Sequence, residues 1–183
     1  MQDLTHLADL IRIRNYVNNS VSNIIGGPAE TGRIAEFVAA QIFDIELART
    51  FVNKAIDGWF RSPASLASAS VNVKYRSRSS KRLDNENSAD PNDHPRYYLA
   101  FRGPKLLKGP ASEKTLPFVI DSVYIFDSQE LIPSLVAKGG AHIGPAVKLV
   151  HWQQAMIYPE QVNQALILTD EQRAALQLFA PRD

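Results

Sequence analysis

The polar residues best suited to take part in binding or catalysis cluster on one predicted strand, residues 70–78. Apolar and polar side chains alternate there, so an extended strand would carry them on opposite faces. Asp57 lies 17 positions before Lys74, beyond a predicted hairpin loop. An acid followed by an amide and a row of cations could hold a metal ion and a phosphate group together. The polar face consists of Asn72, Lys74, Arg76 and Arg78.

A second acidic candidate, Glu36, lies within a strongly apolar helix predicted over residues 29–48. Helical spacing places Glu36 on the same stripe as Phe43. A carboxylate on an apolar stripe is costly unless it is paired, hydrogen-bonded or bound to a metal. The helix alone therefore leaves two interpretations open: Glu36 reaches solvent or Arg33, or it joins Asp57 at a metal site.

The pattern of apolar residues predicts the elements around these candidates. A helix is expected over 3–25, because leucine, isoleucine and valine recur every three or four residues. Buried strands are expected over 97–101 and 118–126, and a capping box at Thr169 opens a last helix. We therefore expect one α/β domain over residues 1–183, with an N-terminal helix (3–25), a core (29–126) and a C-terminal helical part (146–180).

The segment 77–95 is polar and low in complexity. It cannot bury enough apolar surface to offset the entropy lost on ordering, so it is predicted to be a long loop. Its first part is basic and includes Lys81 and Arg82. One interpretation is a solvated surface loop, and the other is a flap that closes on a nucleic-acid ligand.

Composition excludes several classes of protein. The chain has 183 residues, 45% of them apolar, and a net charge of +1, which is too small to demand nucleic acid as a partner. The absence of cysteine excludes disulfides and cysteine-based zinc sites. No apolar run reaches the roughly 18 residues of a membrane span, and the first residues lack the pattern of a signal peptide. We therefore expect a cytoplasmic protein.

Other catalytic motifs are poorly supported. The four histidines are far apart and lack an acidic partner at the spacing of a zinc site. Neither a phosphate-binding glycine-rich loop nor a Gly-x-Ser-x-Gly motif is present. Trp59 and Trp152 are expected in the core rather than as platforms for stacking bases.

The order of a glutamate on a helix, Asp57 at a strand and Asn72-Val73-Lys74 on the next strand resembles the PD-(D/E)xK nuclease superfamily. The resemblance covers about residues 30–126. It implies the restriction-endonuclease-like fold, in which helices flank a central mixed β-sheet. It also implies a metal-dependent DNA endonuclease, with Mg²⁺ or Mn²⁺ as the cofactor and DNA as the partner.

The resemblance also implies a role for each residue. Asp57 would be the main carboxylate ligand of the metal, the carbonyl of Val73 a backbone ligand, and Glu36 would complete the shell. Lys74 would orient or deprotonate the attacking water and stabilise charge in the transition state. Flanking phosphates would be held by Arg76, Arg78, Lys81 and Arg82.

The chain departs from the superfamily at Asn72, where an acidic residue is usual. An amide oxygen is a neutral and weaker metal ligand, so two alternatives to the nuclease stay open. One is a catalytically decayed module that binds DNA or protein on the same fold. The other is an interaction protein whose basic cluster is only a solvated face. Homodimers are common among such nucleases, but nothing in the sequence indicates one.

Overall fold

The computed structural model describes residues 2–48, 56–78, 80, 83, 92, 94–104, 118–136 and 146–181. Within these ranges the chain forms five helices and six strands. In chain order they are α1 (Gln2–Ile25), α2 (Thr31–Phe43), β1 (Ile45–Leu47), β2 (Gly58–Phe60), β3 (Ser70–Ser77), β4 (Tyr97–Gly103), β5 (Ser122–Asp127), α3 (Ser128–Val136), α4 (Leu149–Ala155), β6 (Met156–Tyr158) and α5 (Asp170–Gln177).

The six described strands form one mixed sheet in the order β1-β2-β3-β4-β5-β6. Neighbouring strands are antiparallel except β3 and β4, which run parallel. Parallel neighbours require a crossover, whereas β2 and β3 are joined by a hairpin. The α/β class and the mixed sheet predicted from the sequence are therefore confirmed.

Each face of the sheet packs against its own helices. On one face, Val71, Val73 and Tyr75 of β3 belong to a core shared with α2 and α5. On the other face, Tyr98 and Ala100 of β4 belong to a core shared with α3 and α4. Since strand side chains alternate between faces, Asn72, Lys74 and Arg76 are assigned to the face opposite Val73.

The second helix is shorter than predicted, because α2 ends at Phe43 rather than near residue 48. Asp44 adopts the left-handed conformation (φ 51°), and its backbone N–H closes the helix on the carbonyl of Ala40. Aspartate is one of the few residues that adopt this conformation readily. The chain then forms β1, whose Ile45 is buried opposite Phe60 of β2.

Predictions for the remaining elements met different outcomes. The amphipathic strand is confirmed as β3, and the capping box of Thr169 and Gln172 opens α5 as expected. The segment 146–180, expected to be helical, also contains β6, which pairs with β5 and completes the sheet. Among the described residues, no helix is both long and apolar enough to cross a membrane.

Candidate functional site

The four residues proposed as catalytic line a single cleft of about 630 Å³. Glu36 comes from α2, Asp57 directly precedes β2, and Asn72 and Lys74 come from β3. Val73 lines the same cleft. Three elements that are separate in sequence thus contribute two acidic residues, an asparagine and a lysine to the lining of one cleft.

Asp57 is held on both sides by backbone hydrogen bonds. Its N–H donates to the carbonyl of Val71 at 2.9 Å, and its own carbonyl accepts from the N–H of Ala48 at 2.9 Å. Gly58 allows this arrangement, because a side-chain carbon there would collide with the backbone carbonyl of Glu46. The close approach of β1 and β2 therefore fixes the position of Asp57.

The Asp57 side chain lies at the point where the pairing of β2 with β3 ends. The last paired residue of β3 on this side is Val71, opposite Gly58. Two residues further along, the N–H of Val73 donates to Oδ2 of Asp57 at 2.7 Å. The N–H and carbonyl of a strand residue point to the same side, so the Val73 carbonyl faces this open edge as well. Asp57 and the Val73 carbonyl are therefore both available to the cleft.

Glu36 is half-buried and forms an ion pair with Arg33, one helical turn earlier, at 2.7 Å. The partner proposed in the simpler interpretation is thus present. Glu36 nevertheless lines the cleft and lies near enough to Asp57 for its charge to act on that carboxyl. The first interpretation is therefore confirmed by the ion pair with Arg33, and the metal site shared with Asp57 stays a prediction.

The environment raises the pKa of the Asp57 carboxyl from 3.8 to about 6. Burial is the largest cause, because it disfavours the charged form, and the negative charge of Glu36 acts in the same direction. The hydrogen bond from Val73 and the charges of Lys74 and Arg33 lower the pKa and only partly compensate. A bound cation would stabilise the charged form of this carboxylate.

Asn72 and Lys74 differ in exposure. Asn72 is 1% exposed and lies opposite Tyr98 in the parallel register, whereas Lys74, opposite Ala100, is half-buried. A neutral amide is compatible with this burial, because a carboxylate there would be costly to desolvate and would add negative charge to a cleft that Glu36 and Asp57 already line. Lys74 also lines the wall of the cleft.

The four cations predicted to bind DNA are only partly placed. Arg76 lines the cleft, but its guanidinium donates to the carbonyls of Tyr75 at 3.3 Å and Leu83 at 3.2 Å. Arg78 lies just beyond β3 and approaches Asp121 at 3.4 Å. Because its guanidinium is held by the carbonyls of Tyr75 and Leu83, Arg76 covers the open strand edge instead of projecting freely. The other two, Lys81 and Arg82, lie outside the described residues.

Two features of this region were missed from the sequence. Glu30 also lines the cleft, at the N-cap position of α2, where its side chain makes no capping hydrogen bond. Glu30 could have been identified from its position directly before a helix, six residues ahead of Glu36. Trp59 was wrongly expected in the core: it is 42% exposed, since β1 and β2 form the edge of the sheet, whereas Trp152 is buried as predicted.

The donor set suits a divalent cation that keeps several waters. Glu36 and Asp57 supply carboxylate oxygens, and Val73 supplies a carbonyl on the same side of the strand. Over the ranges that the structure describes, no three His, Asp or Glu side chains are grouped so that they alone could hold a metal ion. Mg²⁺ is commonly held by one or two carboxylates plus water and phosphate, so this set fits it. Comparison of the sequence with known protein families and with curated proteins found no match.

Proposed function

We propose that this chain is a cytoplasmic, metal-dependent endonuclease that hydrolyses phosphodiester bonds in DNA on a restriction-endonuclease-like fold. The observation that carries the proposal is the convergence of Glu36, Asp57 and Lys74 on one cleft. These three groups come from a helix, a strand start and a neighbouring strand, in the order of the motif. Their assembly at an open strand edge gives a polymer backbone lateral access.

The cation would be Mg²⁺ or Mn²⁺, held by Asp57, Glu36 and the carbonyl of Val73. When bound, such an ion neutralises charge on the phosphate and makes a water more acidic. Asp57 must be ionised to act as a ligand, and its raised pKa of about 6 means that metal and proton compete there. Metal binding should therefore strengthen as the pH rises through 6.

In this proposal, Lys74 is the residue that acts on the substrate. Its Nζ would donate hydrogen bonds to a phosphate oxygen and to the attacking water, which orients the water and stabilises negative charge in the transition state. Its positive charge also lowers the pKa of Asp57. Arg33 acts at a distance from the reaction, because it balances the charge of Glu36 through their ion pair at 2.7 Å.

The test is cleavage of supercoiled plasmid and single-stranded DNA in Mg²⁺ or Mn²⁺. Wild type should cut, whereas Asp57→Ala and Lys74→Ala should lose at least about 100-fold in rate, the usual contribution of such groups. Lys148→Ala is a matched control, since Lys148 is an exposed lysine outside the cleft and should be neutral. Absence of cutting by wild type, or equal cutting by the two site variants, would refute the proposal.

A second candidate is a binding module that no longer cuts. Two observations favour it: Asn72 replaces an acidic ligand, and Glu36 already has Arg33 as a partner. A titration with Mn²⁺ separates the candidates, because a ligand that binds only the folded state raises the melting temperature. A shift in wild type that is absent in Asp57→Ala indicates a working metal site. No shift, with salt-sensitive DNA binding, favours the module. No DNA binding at all favours a protein-interaction role.

A further inference from the structure

Helix α1 leaves a broad apolar face uncovered. A lone helix of this length is marginally stable in water, and most helices in proteins are stabilised by packing an apolar face. In α1, only a few residues near its C-terminal end and Ala8 are even partly covered. This face therefore requires a partner surface. Its large residues, between 39% and 70% exposed, are Leu4, Leu7, Leu10, Ile11, Ile13, Val17 and Ile24.

Two charged residues lie within this apolar face, and their positions identify the partner. Asp3 and Arg14 are exposed and 11 residues apart, which is about three helical turns or 16 Å, so they share one side of the helix. Leu7 and Leu10 lie between them. The spacing is four residues from Asp3 to Leu7, three from Leu7 to Leu10 and four from Leu10 to Arg14. This spacing is the same from either end of the helix. Asp9 and Arg12, in contrast, lie off this side and pair with each other at 2.6 Å.

We propose that α1 pairs with α1 of a second copy of this chain in an antiparallel, two-fold symmetric arrangement. Leu7 of one helix would pack against Leu10 of the other, and Asp3 would face Arg14 of the second copy. Two-fold symmetry makes each contact occur twice. In a parallel pair Arg14 would instead meet Arg14, and like charges repel. The charges thus favour the antiparallel direction.

A lipid surface fits the same face less well. Helices that lie on membranes are rich in lysine and arginine on their polar side. In α1 the two arginines are balanced by two aspartates, and lysine is absent. A membrane is therefore an alternative outcome of the test and not the proposal.

The pairing has a consequence for the cleft. The turn after α1 leads directly to Ala29 and Glu30, which line the cleft wall. Two copies joined through α1 would therefore carry their clefts in a fixed, symmetric relation. The proposal stands on the helix alone and does not require that the cleft is a nuclease site.

The experiment is sedimentation of the full chain over about 1–200 µM, because one helix per copy gives a small interface and micromolar affinity. Wild type should show a monomer–dimer equilibrium. Asp3→Arg and Arg14→Asp should each weaken it at least 10-fold, because each creates two like-charge contacts. Their equimolar mixture should dimerise again, as should the double variant. Arg12→Asp is the matched control and should dimerise like wild type.

Engineered disulfides test the direction of pairing, since the chain has no cysteine of its own. A mixture of Asp3→Cys and Arg14→Cys proteins should cross-link to each other, whereas neither should cross-link to itself. Circular dichroism should show unchanged folding in every variant. A wild type that stays monomeric throughout, or that is monomeric and binds phosphatidylcholine–phosphatidylglycerol vesicles, overturns the proposal. Undiminished dimers of Arg14→Asp, or self-cross-linking of each cysteine variant, do so as well.

Discussion

The backbone N–H of Val73 donates a hydrogen bond of 2.7 Å to the carboxylate of Asp57. Val73 lies between Asn72 and Lys74, so this bond ties the acid before β2 to the centre of the polar segment on β3. The position of the acid relative to the lysine is therefore set by the sheet itself. The same carboxylate is the leading candidate for a metal ligand, which couples the integrity of the strand edge to the chemistry of the cleft.

Asp57→Asn should stabilise the metal-free protein at neutral pH. The pKa of Asp57 is about 6 in the folded state against 3.8 for the unperturbed group, so between these pH values the folded state binds more protons. The free energy of unfolding therefore falls as the pH rises from about 4 to 6, by about 3 kcal/mol for a shift of about two units. Asparagine avoids this loss and still offers an oxygen to Val73.

Urea unfolding in EDTA at pH 4 and pH 7.5 measures this effect. The variant should exceed wild type by up to about 3 kcal/mol at pH 7.5 and match it near pH 4. A difference that is the same at both pH values would contradict the assignment of the titrating group. Asp57→Ala is the comparison for the hydrogen bond, because it leaves the Val73 N–H without its acceptor, at a cost of about 1–3 kcal/mol.

Asn72→Asp should exchange stability for metal affinity. Asn72 is 1% exposed and lines the cleft with Asp57 and Glu36, so a carboxylate there adds a further acidic group at a buried position. Without metal the variant should be less stable at pH 7.5. With Mn²⁺ its melting temperature should rise more than that of wild type. Equal metal-induced shifts in the two proteins would mean that position 72 does not reach the ion.

Gly58→Ala should destabilise the protein strongly. The added carbon would meet the backbone carbonyl of Glu46 and the side chain of Ile45, and backbone cannot move aside cheaply. We expect a loss of at least about 2 kcal/mol in thermal or urea unfolding, with weaker metal binding because Asp57 moves. Gly32→Ala is the control, since open space surrounds that helical position and alanine favours a helix. Similar losses in both variants would contradict the steric account.

Thr169→Ala should weaken α5 by removing its cap. The Thr169 hydroxyl accepts from the N–H of Gln172 at 3.2 Å, and the Gln172 side chain accepts from the N–H of Thr169 at 3.0 Å. Loss of such a cap costs about 1 kcal/mol. Thr169→Ser keeps the hydroxyl and should stay close to wild type. Urea unfolding measures both variants, and an equal loss in each would show that the methyl group matters and the cap does not.

Local elements were predictable where one sequence pattern dominated. The two-residue alternation of β3 and the capping box of α5 both depend on neighbours within a few positions, so both predictions are confirmed. The end of α2 was missed, because the apolar run continues past Phe43 and only the left-handed Asp44 interrupts it. The short strands β1 and β6 were missed for a related reason: three residues carry too little periodicity, and their pairing partners are distant.

The sequence by itself determined which side chains β3 presents together, since Asn72 and Lys74 share a face through strand geometry alone. It also determined that Glu36 lies on an apolar helix, where its carboxylate needs an ion-pair, hydrogen-bond or metal partner. The helical spacing of three residues already offered Arg33 as that partner. Only the tertiary structure decided that Asp57 bonds Val73 and that burial raises the pKa of Asp57 to about 6. These relations depend on how α2, β2 and β3 pack, and solvent exclusion is a property of the packed structure that no local pattern contains.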